Sequence, residues 1–238
     1  MEQELQVSPR APLRARGEHG APLRAAVPAI CLAIFLGVWI CAALDPRYRL
    51  VWALENLPTV VLVPAVVLAH RRLHLSNTSY VLLTVFLVLH TLGSHTSYTE
   101  STIGAWVQDA IGWGRNPYDR IMHFLFGLLF LQPLRQLAFP PGRRRGLAAE
   151  LAIAFSLVAC WALLYELLEW AVAALSVTSL GQRVRGAAEA GAGFLALQGD
   201  FWDAQKDMAL ACLGALIAAG VAAAWARVGA RRRRRRAT

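Results

Sequence analysis

The chain has 238 residues, of which 57% are hydrophobic and 16% charged; a soluble domain of this size usually carries about 25% charged residues. The formal net charge of +9 is concentrated at one end: setting aside the six arginines Arg231 to Arg236 leaves 18 of the 24 basic residues against 15 acidic ones. The body is therefore nearly neutral, and no stacking or base-reading module accompanies the basic tail, so nucleic acid is not an expected partner.

The apolar residues come in long blocks without the alternation of barrel strands. Runs of about 20 apolar residues cross a hydrocarbon core of roughly 30 Å as helices, and helices satisfy their own backbone groups in lipid. The expected fold is all-α, a polytopic transmembrane helical bundle of about six spans. Residues 1–24, polar and rich in Pro and Arg, are expected to form a disordered basic N-terminal tail. Residues 25–229 form the six-span domain and residues 230–238 a polyarginine C-terminal tail. The first span runs from about Val27 to Leu44; its Cys41-Ala42-Ala43 resembles a small-residue cleavage site, and the alternative of a cleaved signal peptide leaves five spans. The second covers about Val51 to Ala69, with Glu55, Asn56 and Pro58 marking a helix end or kink. The third covers Ser79 to Gly93. A connection from Ser94 to Tyr118 follows, in which Ile103 to Gly112 is expected to lie flat as an interfacial helix. The fourth span covers Asp119 to Leu137 and the fifth Leu147 to Leu175. A Gly- and Ala-rich connection from Ser176 to Lys206 leads to the sixth, Asp207 to Val228. Cys31, Cys41, Cys160 and Cys212 lie inside these apolar blocks without CxxC spacing and read as small buried hydrophobes.

Basic residues alternate between the two sides as a six-span chain requires. Arg10, Arg14, Arg16, Arg24, Arg71, Arg72, Arg143, Arg144, Arg145 and the terminal run fall on one side, expected to be cytoplasmic with both termini. The terminal run there is placed for contact with anionic lipid. Trp52, Trp106, Trp113, Tyr118 and Trp202 fall near the outer boundary, where aromatic belts sit.

Ionisable residues inside spans cost about 2.5–3.5 kcal/mol each on insertion scales and call for partners or a role. Here they gather at one level. His90, His95, Tyr98 and Glu100 close the third span, and Asp119, Arg120 and His123 open the fourth. Glu166 lies about 28 Å along the fifth from Leu147, at 1.5 Å per residue, with Glu169 one turn on. Asp200, Asp203, Lys206 and Asp207 precede or open the sixth, and Glu55 opens the second. The spacings i, i+4 for Asp119 and His123, i, i+3 for Glu166 and Glu169, and i, i+3, i+7 for Asp200, Asp203 and Asp207 place each set on one helix face. Carboxylates and imidazoles converging from several helices hold divalent cations in carboxylate bundles. His90, His95, Asp119, His123, Glu166, Glu169, Asp200, Asp203 and Asp207 are the candidate metal ligands. Glu166, Glu169 and His123 are the candidate catalytic groups. Most have a plainer reading: His90 as a packing histidine, Asp119 as a helix cap with Arg120 at the interface or neutralising a carboxylate, and Asp200 and Asp203 as loop acids, either of which Lys206 could pair with.

These segments, HTLGSHTSYTE from His90, DRIMHF from Asp119, YELLEW from Tyr165 and GDFWDAQKDM from Gly199, resemble the YjdF-like family of inner-membrane proteins over roughly Leu50 to Gly220. The resemblance implies a multi-pass inner-membrane protein and supplies no reaction. A more distant similarity is to VanZ-like membrane proteins. Asp119, Arg120, His123 and Phe124 match their Asp-basic-x-x-His-Phe segment, but Glu169 and Asp207 stand where that pattern has Gln and Asn. The two extra acids favour a cation or proton site. Three functions follow: a metal-dependent enzyme acting on a lipid or envelope substrate at the outer leaflet, a structural or partner-binding membrane protein, and a proton- or ion-coupled transporter. The chain holds no Gly-x-Ser-x-Gly elbow, His-Glu-x-x-His or phosphate-binding glycine loop, and its inner half-spans hold few polar residues for an ion path.

Overall fold

The computed structural model describes residues 21–142 and 145–237. Most of the expected N-terminal tail, Arg143, Arg144 and Thr238 lie outside the described residues. The elements in chain order are α1 (Ala21–Leu44), α2 (Arg49–Glu55), α3 (Leu57–Leu73), α4 (Asn77–Thr96), α5 (Thr102–Ile111), α6 (Tyr118–Ala138), α7 (Leu147–Ser176), α8 (Ala187–Leu195) and α9 (Asp203–Ala237), with no strand among the described residues. α1, α4, α6, α7 and α9 are each long and apolar enough to cross a membrane, and the pair α2–α3 makes a sixth span if counted as one. The chain is thus an all-helical bundle of five to six spans.

The second span differs from a single straight helix: α2 and α3 meet at a 43° bend. Pro58, in the first turn of α3, lacks the N–H that would continue the helix. Asn56 holds the corner, accepting from Trp39 Nε1 at 2.7 Å and donating to Trp52 O at 2.9 Å and Ser94 Oγ at 3.2 Å. α5 is the helix expected in the third connection; Ser101 caps it by accepting from Gly104 N–H, one of the orphan donors of a helix start. α9 has 35 residues, about 52 Å of helix, so the arginine run continues the helix well past a hydrocarbon core.

Three helices form the middle of the bundle, α6 against α9 and α7 against both, while α4 packs on α6 and α1 on α4. Each central helix buries one stripe at near-helical spacing. On α6 it is Asp119, His123, Gly127 and Leu131; on α7 Ala154, Val158, Ala162, Glu166 and Glu169; on α9 Asp203, Asp207, Ala211 and Ala215. The lower part of each stripe joins one apolar core of Leu131, Leu151, Ala154, Val158, Ala162, Ala211 and Ala215. The upper part of each is acidic or imidazole-bearing, so the packing that builds the core also fixes the polar cluster above it. Small residues let α6 and α9 come close: a Cβ on Gly214 would stand 2.1 Å from Phe124 O.

Two expectations are corrected. Tyr118 is not in an interfacial belt: it is 1% exposed, with its hydroxyl donating to Leu89 O at 2.6 Å. Trp106, Trp113 and Trp202 are exposed. Of the four cysteines Cys31 is buried, but Cys41 and Cys160 are exposed on α1 and α7, where the apolar outer faces of the spans accept them.

Candidate functional site

The polar cluster sits where α6 and α9 begin and α7 ends. Asp119, His123, Glu166, Glu169, Asp203 and Asp207 are all buried, between 2% and 7% exposed. His123 Nε2 lies 3.3 Å from Glu166 Oε1 and 3.6 Å from Asp119 Oδ1. Ligand atoms of Asp119, His123 and Glu169 lie within 4.8 Å of one another, as do those of Asp119, Asp203 and Asp207. Asp119 belongs to both groups. The sequence-derived convergence of the fourth, fifth and sixth spans is therefore what the helices produce.

The hydrogen-bond inventory of this cluster is incomplete. Asp119 Oδ1, Glu166 Oε1 and Asp207 Oδ1 are buried without a hydrogen-bond partner. Buried polar atoms in proteins are nearly always paired, and a buried carboxylate without a counter-charge costs several kcal/mol.

Two arginines serve the neighbouring acids instead. Arg115 Nη1 contacts Asp203 Oδ1, with Asp200 Oδ2 at 3.9 Å. Arg120 Nη2 contacts Asp200 Oδ2, with Asp203 Oδ1 at 3.4 Å. Lys206 Nζ closes the group at 2.6 Å from Asp200 Oδ2. Asp200 lies in the loop before α9, and Lys206 first, with the Trp202 N–H and Arg120, holds its carboxyl down at about 2. Asp200 thus sits in an ion-pair group beside the cluster rather than in either ligand group.

The loop carrying Arg115 is stapled to the loop carrying Asp200. Asn116 N–H donates to Gln198 Oε1 and Gln198 Nε2 donates back to Asn116 O, both at 3.0 Å. Asn116 Nδ2 also donates to Ser101 O at 2.9 Å, and its Oδ1 accepts from Tyr118 N–H at 3.1 Å. That last bond satisfies the first N–H of α6 from the residue before its N-cap, Pro117. The capping reading of Asp119 is corrected: it lies inside the first turn, makes no cap, and is buried in the bundle.

A second set of buried polar groups adjoins the first. His90 Nδ1 pairs with Tyr98 Oη at 2.6 Å. Tyr98 lies in the short turn after α4, where burial pushes its hydroxyl well above the usual range, so it is protonated at neutral pH; the direction of the bond follows the His90 tautomer. Glu55 accepts from Tyr98 N–H at 3.5 Å, while Glu55 Oε2 and His90 Nε2 are buried without partners. His95 does not approach either set: its Nδ1 faces Ala42 O at 3.0 Å and ties α4 to the end of α1. Neither three-residue ligand group includes His90, His95, Glu166 or Asp200.

α8 closes the cluster from the side. The Tyr165 ring lies edge-on to His123 at 5.9 Å and to Phe194 of α8 at 6.2 Å. A recess of about 340 Å³ opens at this end between α2, the turn after α4 and α8, lined in part by Tyr48, Arg49, Thr99, Glu100 and Glu189. The sequence reading passed over Arg115, Asn116, Tyr165 and Gln198 as site residues. Arg115 and Asn116 stand four and three positions before Asp119, the one local signal that they belong with it.

A family described as "Predicted membrane protein (DUF2238)" matches residues 27–228. The inner membrane protein YjdF of Escherichia coli (strain K12) is 33% identical over 199 residues, 82% of this chain and 87% of that protein. No solved structure matches. The matched region runs from α1 through the membrane-crossing part of α9 and takes in every residue of the cluster; the chain belongs to the DUF2238 family of membrane proteins.

Proposed function

We propose that this multi-pass inner-membrane protein carries a divalent-cation centre on the non-cytoplasmic side and uses it to act on an amphiphilic lipid or envelope substrate. The observation that carries the reading is the cluster's charge inventory. Asp119, Glu166, Glu169 and Asp207 bring four carboxylates and His123 one imidazole, and among the described residues no Lys or Arg forms a salt bridge with any of them. A purely structural network would satisfy its buried oxygens; three of these are unsatisfied. A cation supplies the missing charge and the missing ligand bonds at once. His123 with carboxylates suits Mn, Fe or Zn, and the all-carboxylate group suits Mg or Ca.

The orientation rests on the basic residues. Arg71 and Arg72 end α3, Arg145 precedes α7 and the arginine run ends α9, all at the end of the bundle opposite the cluster. The positive-inside rule supports reading the cluster as lying on the non-cytoplasmic side. A transport path is less well supported. Beneath the cluster the helices meet in the apolar core of Leu131, Val158, Ala211 and Ala215.

A bound cation at this level would polarise a phosphoryl or acyl oxygen, or activate water. Arg115 and Arg120 would orient the Asp203 carboxylate, and Tyr165 would hold the His123 ring. The test is a screen with purified full-length protein in liposomes of mixed lipid extract, supplied with Mg, Mn or Zn. Lipids are followed by mass spectrometry beside a Glu166→Gln, Asp203→Asn variant. Cation-dependent conversion of one lipid class by the parent alone supports the reading. No conversion with any cation, in protein shown to bind one, contradicts the enzymatic part.

A further inference from the structure

We propose that the cluster is a two-cation centre in which the Asp119 carboxylate bridges the ions. The inference rests on the divalent-cation reading above and goes beyond it in the number of ions and their coupling. Two observations carry it. Asp119 is common to both three-residue groups, Asp119 with His123 and Glu169, and Asp119 with Asp203 and Asp207. Two oxygen atoms on one carboxylate can each face one ion, and ions so bridged sit roughly 3.5–4 Å apart in two-metal sites. The second observation is the set of oxygens without a hydrogen-bond partner: Asp119 Oδ1, Glu166 Oε1 and Asp207 Oδ1, all buried. Glu166, a member of neither group, adjoins the first through the 3.3 Å approach of its Oε1 to His123 Nε2, and Asp207 belongs to the second, so an unsatisfied oxygen lies on each side.

Charge matches the count. Asp200 and Asp203 are engaged by Arg115, Arg120 and Lys206. The four carboxylates left over, Asp119, Glu166, Glu169 and Asp207, balance two divalent ions, whereas a single ion leaves two buried negative charges uncompensated. The side chains offered are four or five carboxylates and one imidazole, a hard donor set suited to Mg or Mn.

Manganese serves as the probe. Full-length protein in detergent is titrated with Mn(II), and bound metal and the electron paramagnetic resonance spectrum are read together. The expected result is two ions per chain with an exchange-coupled spectrum. Glu169→Gln and Asp207→Asn should each retain one uncoupled ion, and Asp119→Asn should lose the coupling. Loss of outer-shell partners alone weakens metal sites about 10–100-fold, so Asp119→Asn should weaken Mn(II) by at least about tenfold. One ion per chain in the parent, or two without coupling, overturns the two-cation centre while leaving the cation reading intact. No bound ion overturns both. The parent measurement decides the question even if a variant fails to fold.

Discussion

A Cβ on Gly127 would stand 1.8 Å from the carbonyl oxygen of Ala211, so α6 and α9 touch backbone to backbone one turn beyond the cluster. The contact sets the distance between Asp119 and His123 on one helix and Asp203 and Asp207 on the other. Because the obstructing atom is backbone, it cannot swing aside. Gly127→Leu is expected to destabilise by at least the roughly 1–3 kcal/mol typical of overpacked cores and to abolish cation binding. Thermal unfolding in detergent and bound-metal content check it. Unchanged melting would contradict the close approach.

Arg115 is the main partner of Asp203, which is only 2% exposed. Removing one member of a buried ion pair costs about 3–5 kcal/mol. Arg120 stays 3.4 Å from Asp203 Oδ1, so Arg115→Met is expected near the lower end of that range. Asp203→Asn in the same chain should recover much of the loss. A double-mutant cycle of unfolding free energies reads the coupling; additive effects would mean the pair is not formed.

Asp200 predicts a pH window. Its folded value is lowered from 3.8 to about 2, chiefly by the hydrogen bond from Lys206. A depressed carboxylate contributes stability that is complete above the unfolded value and is lost as pH falls through the folded one. The stabilisation is therefore present at neutral pH and fades between about pH 4 and pH 2. Lys206→Met should lower the melting temperature at pH 6 and leave it almost unchanged near pH 2. An equal effect at both pH values would show that Lys206 acts through packing instead.

A cation that binds only the folded chain stabilises it by about 2.7 kcal/mol at one hundred times its dissociation constant. The parent should accordingly melt higher with added Mn(II) or Mg(II). Glu166→Gln removes a buried carboxylate whose Oε1 has no hydrogen-bond partner, so without cation it is expected to melt at or above the parent. It should gain far less from the ion. Equal gains in both proteins would remove Glu166 from the ligand set.

Orientation has its own check. A fluorescent protein fused after Thr238 should be fluorescent, and alkaline phosphatase at the same place inactive, if the arginine run is cytoplasmic. Alkaline phosphatase inserted in the Thr178–Gly181 turn should be active. The opposite pattern would place the cluster on the cytoplasmic side.

Much of the fold was legible because membrane spans are written in composition: the five long helices follow the apolar blocks, within a few residues at most ends. The bend at Asn56 was visible as a local signal, Pro58 beside a polar pair, but not its hub of bonds to Trp39, Trp52 and Ser94. Those partners come from other helices. The joining of His123 with Glu166, Glu169, Asp203 and Asp207 was legible because buried charges at one membrane level must face one another rather than lipid. The choice between ligand and ion-pair partner for Asp200, and the pairing of His90 with Tyr98, were not. Both depend on which side chain fills the last few ångströms, decided by loops such as Asn116–Gln198 whose pairing leaves no periodic trace. The arginine run, read as a tail of its own after the sixth span, continues α9 as a helix, because nothing in Ala230 to Ala237 breaks it.

The most direct test of the central claim is elemental analysis of the purified full-length protein after incubation with Mg, Mn and Zn, with Glu166→Gln, Asp203→Asn run in parallel. The account predicts stoichiometric divalent metal in the parent and little or none in a variant that still folds. No metal in the parent with any of the three ions would contradict it, and would turn the unpaired oxygens of Asp119, Glu166 and Asp207 into proton-sharing groups.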